Sequence, residues 1–343
     1  MNQSAFRRLH RWLLPMLALL SFSSPVLGDI AGGLLDCAQI EIDSERLDCY
    51  DSLARQMPAV PELAPAEPAA ACPAEPADED SYLAKRWDLD ESGIRGRFTL
   101  IPHRDNYIMP LTYNGSQDQP SDGAEYPVRE VDNHEVKYQI SFKSKLWQDV
   151  LGHKMDLWFA YTQQSYWQLY NFDESAPFRE TNYEPELLLN FRPKMKLLGM
   201  DVRTFNTGFN HQSNGRSEPL SRSWNRLVAN LGLEKGPFTL ILKSWYRIPE
   251  SRAEDDNRDI DAYLGYGEIQ TYYRWHDHRL GLMLRNNLRS GDNRGALLLD
   301  WSFPVMEKVG LYIQYFNGYG ENLLDYDQHA NRIGIGFILS DWN

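Results

Sequence analysis

From about residue 81 onward, hydrophobic and polar residues alternate along most of the chain. In "VKYQISFK", Val136, Tyr138, Ile140 and Phe142 share one face of an extended segment, while Lys137, Gln139, Ser141 and Lys143 share the other. The same beat groups Leu157 with Phe159 and Tyr161, Leu187 with Leu189 and Phe191, and Phe238 with Leu240 and Leu242. It returns in Leu280, Leu282 and Leu284, then Leu297, Leu299, Trp301 and Phe303, then Leu311, Ile313 and Tyr315, and finally Ile333, Ile335, Phe337 and Leu339. A period of two over about ten residues marks a strand with one apolar face. Turn clusters such as "EKGP" and "LRSGDNRG" separate the runs. About twelve strands are predicted, an even number of the kind that closes single-chain bacterial outer-membrane barrels.

A soluble, calcium-binding β-sandwich would alternate in the same way. The polar face separates the two, because strand after strand carries Lys, Gln, Asn, Arg and Glu there, with no sign of a second, apolar inner sheet. The expected fold is therefore all-β: a transmembrane antiparallel barrel, apolar residues toward lipid and polar residues inside. The chain ends in "SDWN", whereas many such barrels end on an aromatic residue.

The ends and composition extend this picture. Arg7, Arg8 and Arg11 precede "WLLPMLALL" and "SFSSPVLG", the pattern of a secretory signal over residues 1–28. A non-cleaved anchor is the alternative, but the apolar run falls short of the roughly 20 residues a membrane helix needs. Residues 29–55 form a small Cys-bearing segment in which Cys37 and Cys49 are candidate disulfide partners, with Cys72 left over. Residues 56–80 are rich in Pro, Ala and Glu and read as an extended linker, leaving 81–343 as the barrel. A net charge of -13 argues against nucleic acid as a partner and is compatible with a hard divalent cation. Aromatics at 13% suit a membrane interface.

The candidate chemistry lies in "FNHQSNGRSEPLSRSWNRL", residues 209–227. By parity, His211 and Ser213 share the outer face with Phe205 and Phe209, and Asn225 shares it with Leu227 and Ala229. Polar groups facing lipid are unfavourable unless they bond to one another. These three are either interfacial polar residues at a strand end or a nucleophile, its base and an orienting amide. An amide in the orienting place costs less to desolvate than a carboxylate. A nucleophile that faces outward would meet membrane lipid.

The stretch "GFNHQSNGRSEPLSRSWNRL" resembles the signature of the outer membrane phospholipase A family. "DNYIMPLTY", "YTQQSYWQLYN", "SAPFRETNYEPEL" and "FNGYGENLLDYD" are similar to it too, so the resemblance runs from about Trp87 to the end. It implies a twelve-stranded outer-membrane barrel of a Gram-negative bacterium that hydrolyses phospholipid acyl esters, with A1, A2 and lysophospholipase activity, as a calcium-bound homodimer. It implies Ser213 as nucleophile, His211 as general base and acid, Asn225 as the group orienting His211, and the Gly215 N–H as oxyanion donor. Calcium would be held by the Arg216 carbonyl and the Ser221 hydroxyl, with Ser175 from the partner subunit, and Gln163 would lie at the dimer contact. The N-terminal segment would be periplasmic. Two positions depart from the family pattern. Glu218 stands where Asp is common, leaving a secondary calcium contact with Asp256 open against a merely solvated loop "EDDNRD". Ala176 replaces a hydroxyl residue beside Ser175. A catalytically inactive pore or structural barrel is the alternative reading.

Overall fold

The computed structural model describes residues 36–40, 42–56, 81–89, 95–116 and 130–339. The expected signal, Cys72 and the linker from residue 57 onward lie outside the described residues. Two units are present, and each is taken by itself.

In the N-terminal unit, the helix α1, Asp43–Gln56, follows a short helical turn. Cys37 and Cys49 are joined by a disulfide, with Cα atoms 5.6 Å apart. Arg46 ties the two pieces together, bonding the Ile40 carbonyl at 3.1 Å and pairing with Asp43.

In the second unit, twelve long antiparallel strands form a closed barrel. They are β1 Tyr107–Asn114, β2 His134–Trp147, β3 Met155–Trp167, β4 Phe178–Phe191, β5 Met200–Ser213 and β6 Ser223–Lys235. Then follow β7 Phe238–Arg247, β8 Gly267–Trp275, β9 His278–Asn286, β10 Gly295–Met306, β11 Val309–Gly318 and β12 Ala330–Leu339. Each pairs with the next, and β12 closes on β1 through pairs such as Ile333↔Tyr113. Two three-residue strands, Leu100–Pro102 and Met195–Leu197, add to β2 and β5. Tight turns join the strands at one end, and longer loops such as 168–177, 214–222 and 248–266 join them at the other.

The alternation is realised as expected. Along β12 every second side chain, from Ile333 to Leu339, is exposed, while Arg332 and Ile338 turn inward and are buried. Closure satisfies every ladder, which is what a strand-built membrane wall requires. This single polar-cored barrel excludes the sandwich. Among the described residues no helix is long and apolar enough to cross a membrane.

Inside, charges pair with one another. Arg179 bonds Glu135 at 2.8 Å and also pairs with Asp325. Arg332 bonds Glu135 at 2.8 Å and Glu321 at 2.9 Å, and Lys137 bonds Glu321 at 2.9 Å. At mid-height, Glu184 takes Arg104 at 2.8 Å and Arg226 at 3.1 Å. Such pairs stabilise only as complete sets; removing one partner typically costs about 3–5 kcal/mol.

A short plug narrows the lumen at the tight-turn end, a feature not anticipated from the sequence. Helix α2, Tyr82–Trp87, is capped by Ser81, whose hydroxyl accepts from the Ala84 N–H at 3.0 Å and donates to Glu234. Tyr82, Leu83 and Trp87 pack against Trp158, Leu188 and Val228, and the Lys143 ammonium lies 3.3 Å from the centre of the Trp87 ring. The cavity left in the lumen is about 300 Å³ and is lined by groups such as Arg104, Glu184, Asn210 and Arg226. A lumen so filled is a poor conduit, which argues against the pore reading.

Candidate active site

Strands β5 and β6 are joined by residues 214–222, and their register assembles the site. His211 pairs with Asn225, and Ser213 pairs with Ser223 on one side and Tyr183 of β4 on the other. Phe205 and Phe209 are exposed while Asn206 and Asn210 are buried, so His211 and Ser213 stand on the outer face. On β6, Leu227 is exposed and Trp224 and Arg226 are buried, which puts Asn225 on the same outer face. The register thus sets His211, Ser213 and Asn225 on one outer face, as parity requires, with His211 and Asn225 directly opposite each other.

His211 Nδ1 and Asn225 Oδ1 are 2.9 Å apart. A carboxamide oxygen only accepts, so Nδ1 is the donor in this bond, and in the neutral ring Nε2 is then the nitrogen with the lone pair. Asn225 Nδ2 donates in turn to Glu250 Oε1, 2.8 Å away. Glu250 lies just beyond β7 and was not singled out from the sequence.

The loop after Ser213 is organised by Asn214. Its N–H donates to the Arg222 carbonyl at 3.0 Å, and its side chain bonds the Arg222 N–H at 3.0 Å, the Arg216 N–H at 3.3 Å and the Leu220 carbonyl at 2.8 Å. Gly215 has a φ of 66°, in the left-handed region, and a Cβ there would come 3.1 Å from Tyr183 Cε2. Glycine meets both demands. The Arg216 guanidinium reaches the Arg179 carbonyl at 2.9 Å, which fixes the backbone at that position.

The Ser221 hydroxyl donates to Asp256. Glu218 shares a hydrogen bond with the same Asp256, and that carboxylate holds the Glu218 carboxyl above its ordinary pKa. The 248–266 loop is therefore not merely solvated: Arg247 bonds Asp255 at 2.6 Å, and Asn257 accepts from the Ser223 N–H at 3.1 Å. Two carboxylates and a hydroxyl gathered beside the Arg216 loop make an oxygen-rich locus with a surplus of negative charge, which suits a hard divalent cation. Among the described residues no set of three His, Cys, Asp or Glu side chains could hold a metal alone. A cation here would depend on hydroxyl and carbonyl oxygens as well.

Ser175 is exposed in the β3–β4 loop at a φ of 61°, with its N–H on the Phe172 carbonyl at 3.2 Å. Gln163 stands on the outer face of β3. It accepts from Tyr161 at 3.2 Å and donates to Ser165 at 3.3 Å, and Thr181 bonds Ser165 at 3.1 Å. These form a polar row on an otherwise apolar wall.

Fold and site together define a class: a twelve-stranded barrel of the outer-membrane type, with a histidine, an asparagine and a carboxylate linked by hydrogen bonds and a serine on the outside of its wall. The chain belongs to the phospholipase A1 family, whose profile matches residues 83–339, and it is an enzyme. It is 41% identical over 246 residues to the phospholipase A1 of Escherichia coli strain K12, covering 71% of this chain and 82% of that one. Among solved structures it is similar to the dimer of Salmonella typhi outer membrane phospholipase with bound calcium. That match has 38% identity and a TM-score of 0.69, covering 77% of this chain and 99% of that one. It is also similar to an active-site mutant of Escherichia coli outer membrane phospholipase A in which alanine replaces an asparagine. There the identity is 37% and the TM-score 0.69, covering 78% of this chain and 100% of that one.

Proposed function

We propose that this chain hydrolyses the acyl esters of membrane phospholipids and lysophospholipids at the outer wall of its barrel. The reading rests above all on the 2.9 Å bond between His211 and Asn225, set beside Ser213 on a face that would otherwise be apolar. A serine hydroxyl becomes a competent nucleophile when an oriented imidazole takes its proton. Ser213 attacks the ester carbonyl, and His211 Nε2 accepts the hydroxyl proton and then delivers it to the departing alcohol. Asn225 keeps the Nδ1 proton in place and shares the charge of the imidazolium. Water, deprotonated by the same nitrogen, then releases the fatty acid and restores Ser213. The Gly215 N–H serves as donor to the developing oxyanion, a contribution usually worth a few kcal/mol.

Calcium would be held by the Arg216 carbonyl and the Ser221 hydroxyl, with Ser175 of a second copy, and with Glu218 and Asp256 close by. When bound, the ion would add positive charge near the oxyanion. The active form is a homodimer that meets along the polar row around Gln163, as buried amides in lipid favour; the solved Salmonella typhi relative is itself a dimer with bound calcium. The asparagine of the Escherichia coli active-site mutant supports the role given to Asn225. The barrel would sit in an outer membrane with its tight turns toward the periplasm, as short turns are in such barrels; the N-terminal segment, taken by itself, would be periplasmic.

Fatty-acid release from phospholipid–detergent micelles tests this. Wild type should be active with calcium and silent with chelator, and Ser213→Ala should lose about 10³-fold or more. Activity in Ser213→Ala, or release indifferent to calcium, would overturn the respective part of the reading.

A further inference from the structure

We propose that Glu250 is a positioning residue of this relay, holding the Asn225 amide with its oxygen toward His211 and lending negative charge to the imidazolium. The proposal rests on the catalytic set assigned above. An amide has two ends of nearly equal shape, and a half-turn of Asn225 would offer His211 a donor and impose the wrong tautomer. The 2.8 Å bond from Asn225 Nδ2 to Glu250 Oε1 decides between them. A carboxylate has no proton to give, so it accepts only the NH₂ end and repels the oxygen.

The fold delivers Glu250 to this place. Arg247, the last residue of β7, pairs with Arg226, and the Ile248 N–H donates to the Asn225 carbonyl at 2.8 Å. Pro249 then fixes the backbone, and Glu250 follows, half-buried. The other charged groups on the adjoining elements are engaged elsewhere. Arg226 turns inward to Glu184 at 3.1 Å, and Arg247 bonds Asp255 at 2.6 Å. Arg222 bonds the Pro219 and Ser221 carbonyls, and Glu218 shares a hydrogen bond with Asp256. Tyr183 is the titratable neighbour on β4. Among the described residues no Lys or Arg pairs with Glu250, so its charge is not neutralised before it reaches the amide.

The test measures kcat/KM against pH in calcium-containing micelles for wild type, Glu250→Gln, Glu250→Leu, Asn225→Ala, Asn225→Ala/Glu250→Leu and Ser213→Ala. Folding is checked by the heat-dependent gel mobility of the barrel. Glu250→Leu should lose about tenfold, the usual weight of a hydrogen bond to a charged group, and the isosteric Glu250→Gln less. In both, the acid limb of the profile should move down by roughly half a pH unit, because a nearby negative charge no longer favours the imidazolium. In the Asn225→Ala background Glu250→Leu should add less than about twofold, as expected of residues acting in series. An unmoved limb with near-wild-type rates refutes the proposal, and so does an equal loss in the Asn225→Ala background. If Glu250→Leu fails to fold, the limb of Glu250→Gln decides. Activity in Ser213→Ala would instead bring down the catalytic set itself, whereas a silent Ser213→Ala beside wild-type-like Glu250 variants removes only this inference.

Discussion

In the common Ser-His-Asp hydrolases a carboxylate orients the histidine, so Asn225→Asp looks like an improvement. Here it should be a liability. Asn225 Nδ2 sits 2.8 Å from Glu250 Oε1, and the substitution replaces that donor with an oxygen facing another oxygen. Two unit charges about 4 Å apart repel by about 4 kcal/mol at an effective dielectric of 20, and solvent at this half-open strand end lowers that to about 2 kcal/mol. Like-charged carboxylates so close share one proton, and the pair should hold it until roughly neutral pH. While that proton is held, the new side chain can still orient His211; once it is lost, repulsion drives the two apart. The expected kcat/KM profile is therefore a narrow bell that turns down near neutrality, where wild type stays level. Adding Glu250→Gln restores a donor opposite the new carboxylate, and the double variant should regain a level alkaline side with a plateau at or above wild type. Initial rates of fatty-acid release across pH, in buffers of constant ionic strength, measure this. If Asn225→Asp alone matches wild type at alkaline pH and gains nothing from Glu250→Gln, the relay as drawn is wrong.

Two further outcomes follow from the site and the core. Gly215→Ala places a side chain at a φ of 66° and 3.1 Å from Tyr183. That should cost about 1–2 kcal/mol in urea unfolding and lower kcat while the barrel still forms; unchanged rate and stability would refute the loop constraint. Arg179→Met strips a buried guanidinium from Glu135 and Asp325 and should destabilise the barrel by about 3 kcal/mol, with part of Glu135 still satisfied by Arg332. A loss below about 1 kcal/mol in the same unfolding assay would show that the ionic core is not a set of interlocked pairs.

The strands and the facing of His211, Ser213 and Asn225 were legible because a membrane wall imposes one rule on every strand: apolar outward, polar inward. Parity then follows from residue number alone, as Phe205 and Phe209 against Asn206 and Asn210 illustrate. What parity cannot convey is which inward charge meets which. Lys137, Lys143 and Lys145 read as one polar face, yet Lys137 pairs with Glu321, Lys145 with Asp88, and Lys143 lies over Trp87. The plug was not legible for a related reason. Tyr82–Trp87 is a helix of six residues, too short for a clear period, and its reason to fold is the lumen it fills. Glu250 and Asp256 sit in a run of charges that looks solvated, because their partners Asn225 and Ser221 are 25 and 35 residues away.

The placement of charge ties these parts together. Within the barrel a carboxylate always has a cation near, as Glu135 has Arg179 and Arg332. On the outer wall, among the described residues no Lys or Arg pairs with His211, Asn225 or Glu250, and a bare carboxylate facing lipid would be expensive. A neutral amide can stand there, but alone it neither fixes its own orientation nor carries charge. Moving the carboxylate one hydrogen bond further on, to the point where the chain leaves β7 for the loop, keeps Glu250 in reach of water while Asn225 relays its influence. On this reading the barrel obtains part of what a buried acid would supply without placing an acid in its lipid-facing wall. The same logic explains why the isosteric exchange at position 225 should fail unless position 250 changes with it.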